Sequence, residues 1–158
     1  MSHIARFSTP EGPRYGLITG RILYALAGPA DTTPFDGRDL TPGERVGPVE
    51  KSALLPPVMP SKIMCIGRNY AAHAAEQNAA LPEEPMLFLK PPSALIGHGA
   101  EIILSPGAGR VDHEAELAVI IGRRAAHVRR EDALDYVLGY TCANDVSARD
   151  YQKKDGQW

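Results

Sequence analysis

The stretch Val111-Asp112-His113-Glu114-Ala115-Glu116-Leu117-Ala118-Val119-Ile120-Ile121-Gly122 sets two carboxylates, Glu114 and Glu116, two residues apart at the mouth of a run that otherwise reads as a buried strand. In a strand, residues i and i+2 project to one face, so the two acids point to the same place. Adjacent anions repel, and removing ionised carboxylates from water is costly unless they are paired, protonated or coordinated. A hard divalent cation with oxygen ligands settles both charges at once. The plainer alternative is a solvated sheet edge that carries two acids.

The rest of the chain sets bounds on that reading. Its 158 residues allow one domain, or one domain with a small appendage, and a respectable core. With 17 Lys and Arg against 19 Asp and Glu, the formal charge is -2, and there is neither a basic stripe to suggest nucleic acid nor an acidic tail. Apolar stretches such as residues 117–122 fall far short of the roughly 20 residues of a membrane helix. The start, Met1-Ser2-His3-Ile4-Ala5-Arg6, lacks the features of a secretory signal, so the expectation is a cytoplasmic protein with no membrane partner. Cys65 and Cys142 are flanked by apolar residues and read as reduced, packed thiols. The 15 glycines and 14 prolines predict many turns and short strands.

Along the chain, residues 4–8, 15–18 and 21–27 read as short strands punctuated by Pro10-Glu11-Gly12-Pro13 and Gly20. Residues 28–60 turn rich in Pro, Gly, Asp and Thr, and the segment 54–60 reads as an extended connector. This divides the chain into a small N-terminal β module with linker, 1–59, and a second domain, 60–158. In the latter, Ile63-Met64-Cys65-Ile66 and Met86-Leu87-Phe88-Leu89 read as strands. A helix over 70–77 with Asn69 as its cap would set His73 and Glu76 three apart on neighbouring positions. Apolar spacing, early acids and Gly139 predict a helix over 131–138. Residues 140–143 read as a strand leading to Asn144-Asp145, and Ser147 as the cap of a last helix through Lys154.

Three groups of residues carry candidate chemistry, each with a bland counterpart. Glu76 could orient the imidazole of His73 and stabilise its protonated form, leaving the other ring nitrogen to take a proton from water; the alternative is a surface polar pair. Asp145 is either a turn former or a third oxygen ligand beside Glu114 and Glu116. Arg149 and Gln152 follow Asp145 by four and seven residues, on one side of a helix. Arg149 either pairs with Asp145 alone or offers its fork to a substrate carboxylate.

Taken together, four motifs in order carry a resemblance: Gly67-Arg68-Asn69-Tyr70-Ala71-Ala72-His73-Ala74-Ala75-Glu76, Pro85-Met86-Leu87-Phe88-Leu89-Lys90-Pro91, Asp112-His113-Glu114-Ala115-Glu116-Leu117, and Asn144-Asp145-Val146-Ser147-Ala148-Arg149-Asp150. Residues 60–158 closely resemble the first half of the catalytic domain of the fumarylacetoacetate hydrolase superfamily, and residues 1–59 look like the small module that many bacterial members carry in front of it. The resemblance implies an α+β fold, a partial mixed β-roll with a few short helices behind a small N-terminal β module. It implies Glu114, Glu116 and Asp145 as ligands of Mg²⁺ or Mn²⁺, His73 and Glu76 as the water-activating dyad, and Arg149 and Gln152 as substrate contacts. Lys90 matches a family position near the pocket. The activity implied is metal-dependent C–C hydrolysis of acylpyruvate-like 2,4-diketo acids, by a homodimer acting on a small oxoacid. Oxoacid decarboxylation or dienoate isomerisation is the same-family alternative. The family's catalytic domain continues through a Lys-x-Phe segment and a Gly-Thr loop not matched here, so a third expectation is a truncated fragment that binds metal or a partner chain without turnover.

Overall fold

The structure, a computed structural model, describes residues 3–37, 39–76 and 80–155, with the side chains of His73, Ala74 and Glu76 outside that description. It is mostly sheet with few helices. The strands are β1 (His3–Thr9), β2 (Gly12–Thr19), β3 (Ile22–Leu26), β4 (Pro42–Pro48), β5 (Leu54–Leu55), β6 (Ile63–Gly67), β7 (Met86–Lys90), β8 (Val111–Asp112), β9 (Ala115–Ile121), β10 (Val137–Asn144) and β11 (Ser147–Ala148). The helices are α1 (Ala71–Glu76) and α2 (Arg149–Asp155).

Two compact units divide the chain discontinuously. The first comprises Met1–Val58, Ile96–Ile102 and His113–Val146; the second comprises Met59–Leu95, Ile103–Asp112 and Ser147–Trp158.

In the first unit, five antiparallel strands run in the order β4-β3-β2-β1-β5. Alternation along β1 buries Ala5 and Phe7 while Arg6 and Ser8 face away, and β3 buries Leu23 and Ala25 against them. Phe7 and Leu23 are almost wholly enclosed, each contributing about 1.5–3 kcal/mol by leaving water. Ile18, Val49 and Leu54 close over this core. Gly16 is required by close approach: a Cβ there would run into the carbonyl oxygen of Tyr24 and the side chains of Leu23 and Phe7.

β4 lies within residues 28–60, the stretch rich in Pro, Gly, Asp and Thr, ahead of the connector expected over 54–60. Pro42, Gly43, Gly47 and Pro48 mask the strand pattern, yet prolines fit here because β4 is an edge strand with no neighbour on its outer side.

Tyr15, opposite Arg6 in the β1–β2 ladder, packs edge-on against Phe35 with ring centroids 6.4 Å apart. Burial pushes its phenol pKa upward, with the Arg6 charge opposing. The stability contributed by this neutral phenol is therefore present below its ordinary value of 10.0 and lost as the pH climbs through the raised folded-state value. Absorbance titration should show one of the six tyrosines ionising later than the others, and Tyr15→Phe should delete that late component. A late component that survives the substitution would reassign it.

β9 and β10 form an antiparallel pair in the same unit, with a register irregularity between Val137 and Gly139. The sequence predicts a helix through Leu138, but the residues 130–136 form 3-10 turns and β10 begins at Val137, opposite Ile121. The β-branched Val137 and the Gly122 N–H bond to the Tyr136 carbonyl at 2.8 Å draw the chain into the ladder instead. β9 is also not buried on both faces as its apolar run suggests: Leu117, Val119 and Ile121 are exposed, as are Tyr140 and Cys142 on the same side of β10. Cys142 is thus a free, exposed thiol rather than a packed one, while Cys65 is half-buried.

In the second unit, β6 pairs with β7 and β8 with β11. The β6–β7 pair repeats the pattern of one half-buried face, with Ile63, Cys65 and Phe88, and one exposed apolar face, with Met64, Ile66, Leu87 and Leu89. The last helix starts at Arg149, so Ser147, read from sequence as its cap, lies instead in β11 opposite Asp112. Among the described residues no helix is long and apolar enough to cross a membrane.

Candidate active site

Within the first unit, the β9–β10 register decides which acids meet. Glu116 lies opposite Ala143 and Ala115 opposite Asn144. One step further the regular ladder stops, and Asn144 turns its side-chain Oδ1 to accept the Glu114 N–H at 3.0 Å. The Asp145 N–H donates to the Glu114 carbonyl at 2.9 Å, so Asp145 lies directly across from Glu114. Opposed residues share a sheet face, as do residues i and i+2, so Glu114, Glu116 and Asp145 belong to one face. That face continues through the half-buried Ala118 and Ile120, away from the exposed apolar side.

All three acids are half-buried, and Oδ1 of Asp145 is closed off from solvent. Carboxylate oxygens alone, with no thiol among them, make a donor set that suits a hard divalent cation such as Mg²⁺ or Mn²⁺. Among the described residues no three His, Cys, Asp or Glu groups are placed to hold a metal ion, and what joins the three acids is the sheet face they share.

Within the second unit, Arg149 opens α2 directly after β11. Because β11 pairs Ser147 with Asp112, the start of α2 lies beside β8, and the Arg149 N–H bonds the Arg110 carbonyl at 2.8 Å. The Arg149 side chain is only 14% exposed; its Nε donates to Asp112 Oδ2 at 2.8 Å and its Nη1 to Gln152 Oε1 at 3.0 Å. Arg149 and Gln152, predicted together, therefore are in contact. Asp112 is also gripped by Arg110 through Nε and Nη2, at 2.9 and 3.0 Å. Hydrogen bonds from Arg110 and then Arg149 hold the Asp112 carboxyl down at about 2, and Asp112 in turn raises the Arg110 pKa.

Asp112 is the residue that reading the sequence for function passed over. It stands in the quoted motif, but its partner Arg149 lies 37 positions away, and only the β8–β11 pairing joins them.

Lys90 ends β7 opposite Ile63, half-buried, with Nζ 5.8 Å from the Phe88 ring centroid. His73 and Glu76 both fall on α1, three residues apart as predicted, reached from β6 through Arg68 in a left-handed conformation at φ 53°. A non-glycine residue at positive φ is uncommon and marks a constrained turn ahead of this helix. The side-chain pairing of His73 with Glu76 lies outside the described residues.

Comparison with known proteins identifies the family. Residues 62–158 match the family described as Fumarylacetoacetate (FAA) hydrolase C-terminal, and residues 2–57 match one described as Rv2993c-like, N-terminal. The rat protein Oxaloacetate tautomerase Fahd2a, mitochondrial, is 45% identical over 106 residues, which cover 66% of this chain and 34% of that protein. A solved 5-carboxymethyl-2-hydroxymuconate delta-isomerase from Mycobacterium smegmatis superposes with a TM-score of 0.83 at 40% identity, covering 100% of this chain and 60% of the other. A maleylpyruvate hydrolase from Sphingobium sp. SYK-6, solved with manganese(II) and pyruvate, gives a TM-score of 0.67 at 30% identity, covering 92% and 58%. The chain spans between 34% and 59% of the length of the curated relatives it matches, so the activity of a whole relative is not carried over by similarity alone. Matched over more than half its length, with an acidic sheet face and a clamped arginine in its second half, the chain belongs to the fumarylacetoacetate hydrolase family.

Proposed function

We propose that this chain supplies the metal- and substrate-binding half of a divalent-metal-dependent enzyme that cleaves a C–C bond in acylpyruvate-like 2,4-diketo acids. The observation that carries the reading is the apposition of Glu114 and Asp145 just beyond the paired ends of β9 and β10, with Glu116 on the same face. Glu114, Glu116 and Asp145 would hold Mg²⁺ or Mn²⁺. When bound, the cation supplies Lewis-acid polarisation of the substrate's carboxylate and adjacent keto oxygen, which favours departure of an enolate. The maleylpyruvate hydrolase relative, solved with manganese and pyruvate, supports a divalent cation in this reading.

The remaining roles belong to the chain's own side chains. Arg149 presents a fixed guanidinium to the substrate carboxylate, and Gln152, which accepts a hydrogen bond from its Nη1, lines the same substrate contact. His73, oriented by Glu76, takes a proton from the water that attacks the distal carbonyl, a step an imidazole performs well near neutral pH. Lys90 adds a positive charge at the substrate end.

Isomerase and tautomerase relatives support a second reading, in which the same enolate chemistry moves a proton or double bond without water attack. Acetylpyruvate and oxaloacetate separate the two. With Mn²⁺ present, release of acetate and pyruvate from acetylpyruvate is the expected result. Interconversion of the keto and enol forms of oxaloacetate with no acetylpyruvate cleavage would replace hydrolysis by tautomerisation.

A further inference from the structure

We infer that Asp112 is a positioning residue: it fixes the Arg149 guanidinium in the one orientation from which it reads a substrate carboxylate. The inference rests on the proposed role of Arg149 and extends it to a residue with no place among the ligands, the dyad or the substrate contacts.

A free arginine samples many rotamers, and its fork recognises a carboxylate only when both the plane and the direction of the fork are set. Here three separate constraints set them. The Asp112 carboxylate holds Nε from one side at 2.8 Å, Gln152 holds Nη1 from the helix side at 3.0 Å, and the backbone N–H of Arg149 is tied to Arg110 at 2.8 Å. The side chain so held is 14% exposed, which leaves a small part of it toward solvent.

Arg110 draws on the same carboxylate with two hydrogen bonds, so Asp112 is shared between two guanidinium groups, and Asp150 offsets the remaining charge near Arg110; what Asp112 supplies to Arg149 is orientation. The packing around the clamp is close: Gly109, at φ 67°, has no room for a Cβ because the Asp150 carboxylate of α2 occupies that space.

The test is pyruvate binding in the presence of Mn²⁺, measured by calorimetry on the whole chain, together with the thermal unfolding midpoint of each variant. Arg149→Ala should weaken pyruvate by at least about tenfold, and Asp112→Asn, which keeps the shape but not the charge, by about three- to tenfold. Asp112→Glu should recover part of the loss, which a merely structural role would not predict, and the Asn and Glu variants should unfold at similar temperatures. Wild-type affinity in Asp112→Asn alongside a weakened Arg149→Ala would overturn the positioning role and leave the Arg149 assignment standing. Failure to recover with Asp112→Glu, with both Asp112 variants unfolding early, would reduce Asp112 to a structural ion pair. Pyruvate affinity unchanged in Arg149→Ala, or absent from the wild-type chain, would remove the reading of Arg149 itself and this inference with it.

Discussion

Replacing His73 by alanine lowers acetylpyruvate cleavage by about 10²- to 10⁴-fold, the usual contribution of a positioned general base, and leaves Mn²⁺ affinity at the wild-type value. The two readouts part because His73 lies on α1 and is not one of the carboxylates assigned to the ion. Alanine is the strongest helix former, so the six-residue α1 keeps its backbone and the loss reports the imidazole rather than a melted helix. Stopped-assay measurement of pyruvate release, with Mn²⁺ calorimetry on the same preparation, checks both halves. Cleavage that persists within about threefold of the wild-type rate would remove water activation from His73 and favour isomerase-type chemistry.

Asp145→Asn weakens Mn²⁺ binding by about 10²-fold or more, since even groups that only support metal ligands cost about 10- to 100-fold when removed. The substitution is nearly isosteric and keeps the Asp145 N–H to Glu114 carbonyl bond, so the strand pairing that aligns the acids survives. What changes is one negative charge on the acidic face, and with it the attraction for a divalent cation. In the wild-type chain Mn²⁺ at a hundred times its dissociation constant should add about 2.7 kcal/mol to stability, and the variant should show little of that gain at the same concentration. Calorimetry and thermal unfolding measure the two effects independently. Equal Mn²⁺ affinity in both proteins would take Asp145 out of the ligand set.

Much of this was legible in the amino-acid order because the relevant signals are local. The strands β1, β2, β3, β6 and β7 announce themselves by alternation and by flanking Gly and Pro, and Glu114-x-Glu116 declares a shared face through the two-residue period of a strand. The misreadings have equally physical causes. Residues 131–138 carry a helical apolar spacing, but the pull of Val137 into pairing with Ile121 cannot be seen without knowing that β9 lies alongside. β4 hides behind prolines that an edge position tolerates. The run 117–121 looks buried because apolar residues fill both faces, whereas burial depends on what covers each face, which no window of sequence contains. The Asp112–Arg149 clamp is hidden for the same reason, as a contact made by register rather than by proximity in the chain.

Among the described residues, the enclosed aliphatic and aromatic side chains Ala5, Phe7, Leu17, Leu23, Ala25 and Leu26 all fall between positions 5 and 26, while every residue assigned to chemistry lies at position 73 or beyond. A protein built this way opens in stages, since local opening free energies follow how much apolar contact each segment must give up. Amide protons of the first three strands should be the last to trade with heavy water, and those around the acids and the clamped arginine among the first. On the proposed assignment, the segment bearing the acids and the clamped arginine gains the most order from a ligand, and part of that ligand's affinity goes into tightening the ribbon that carries it.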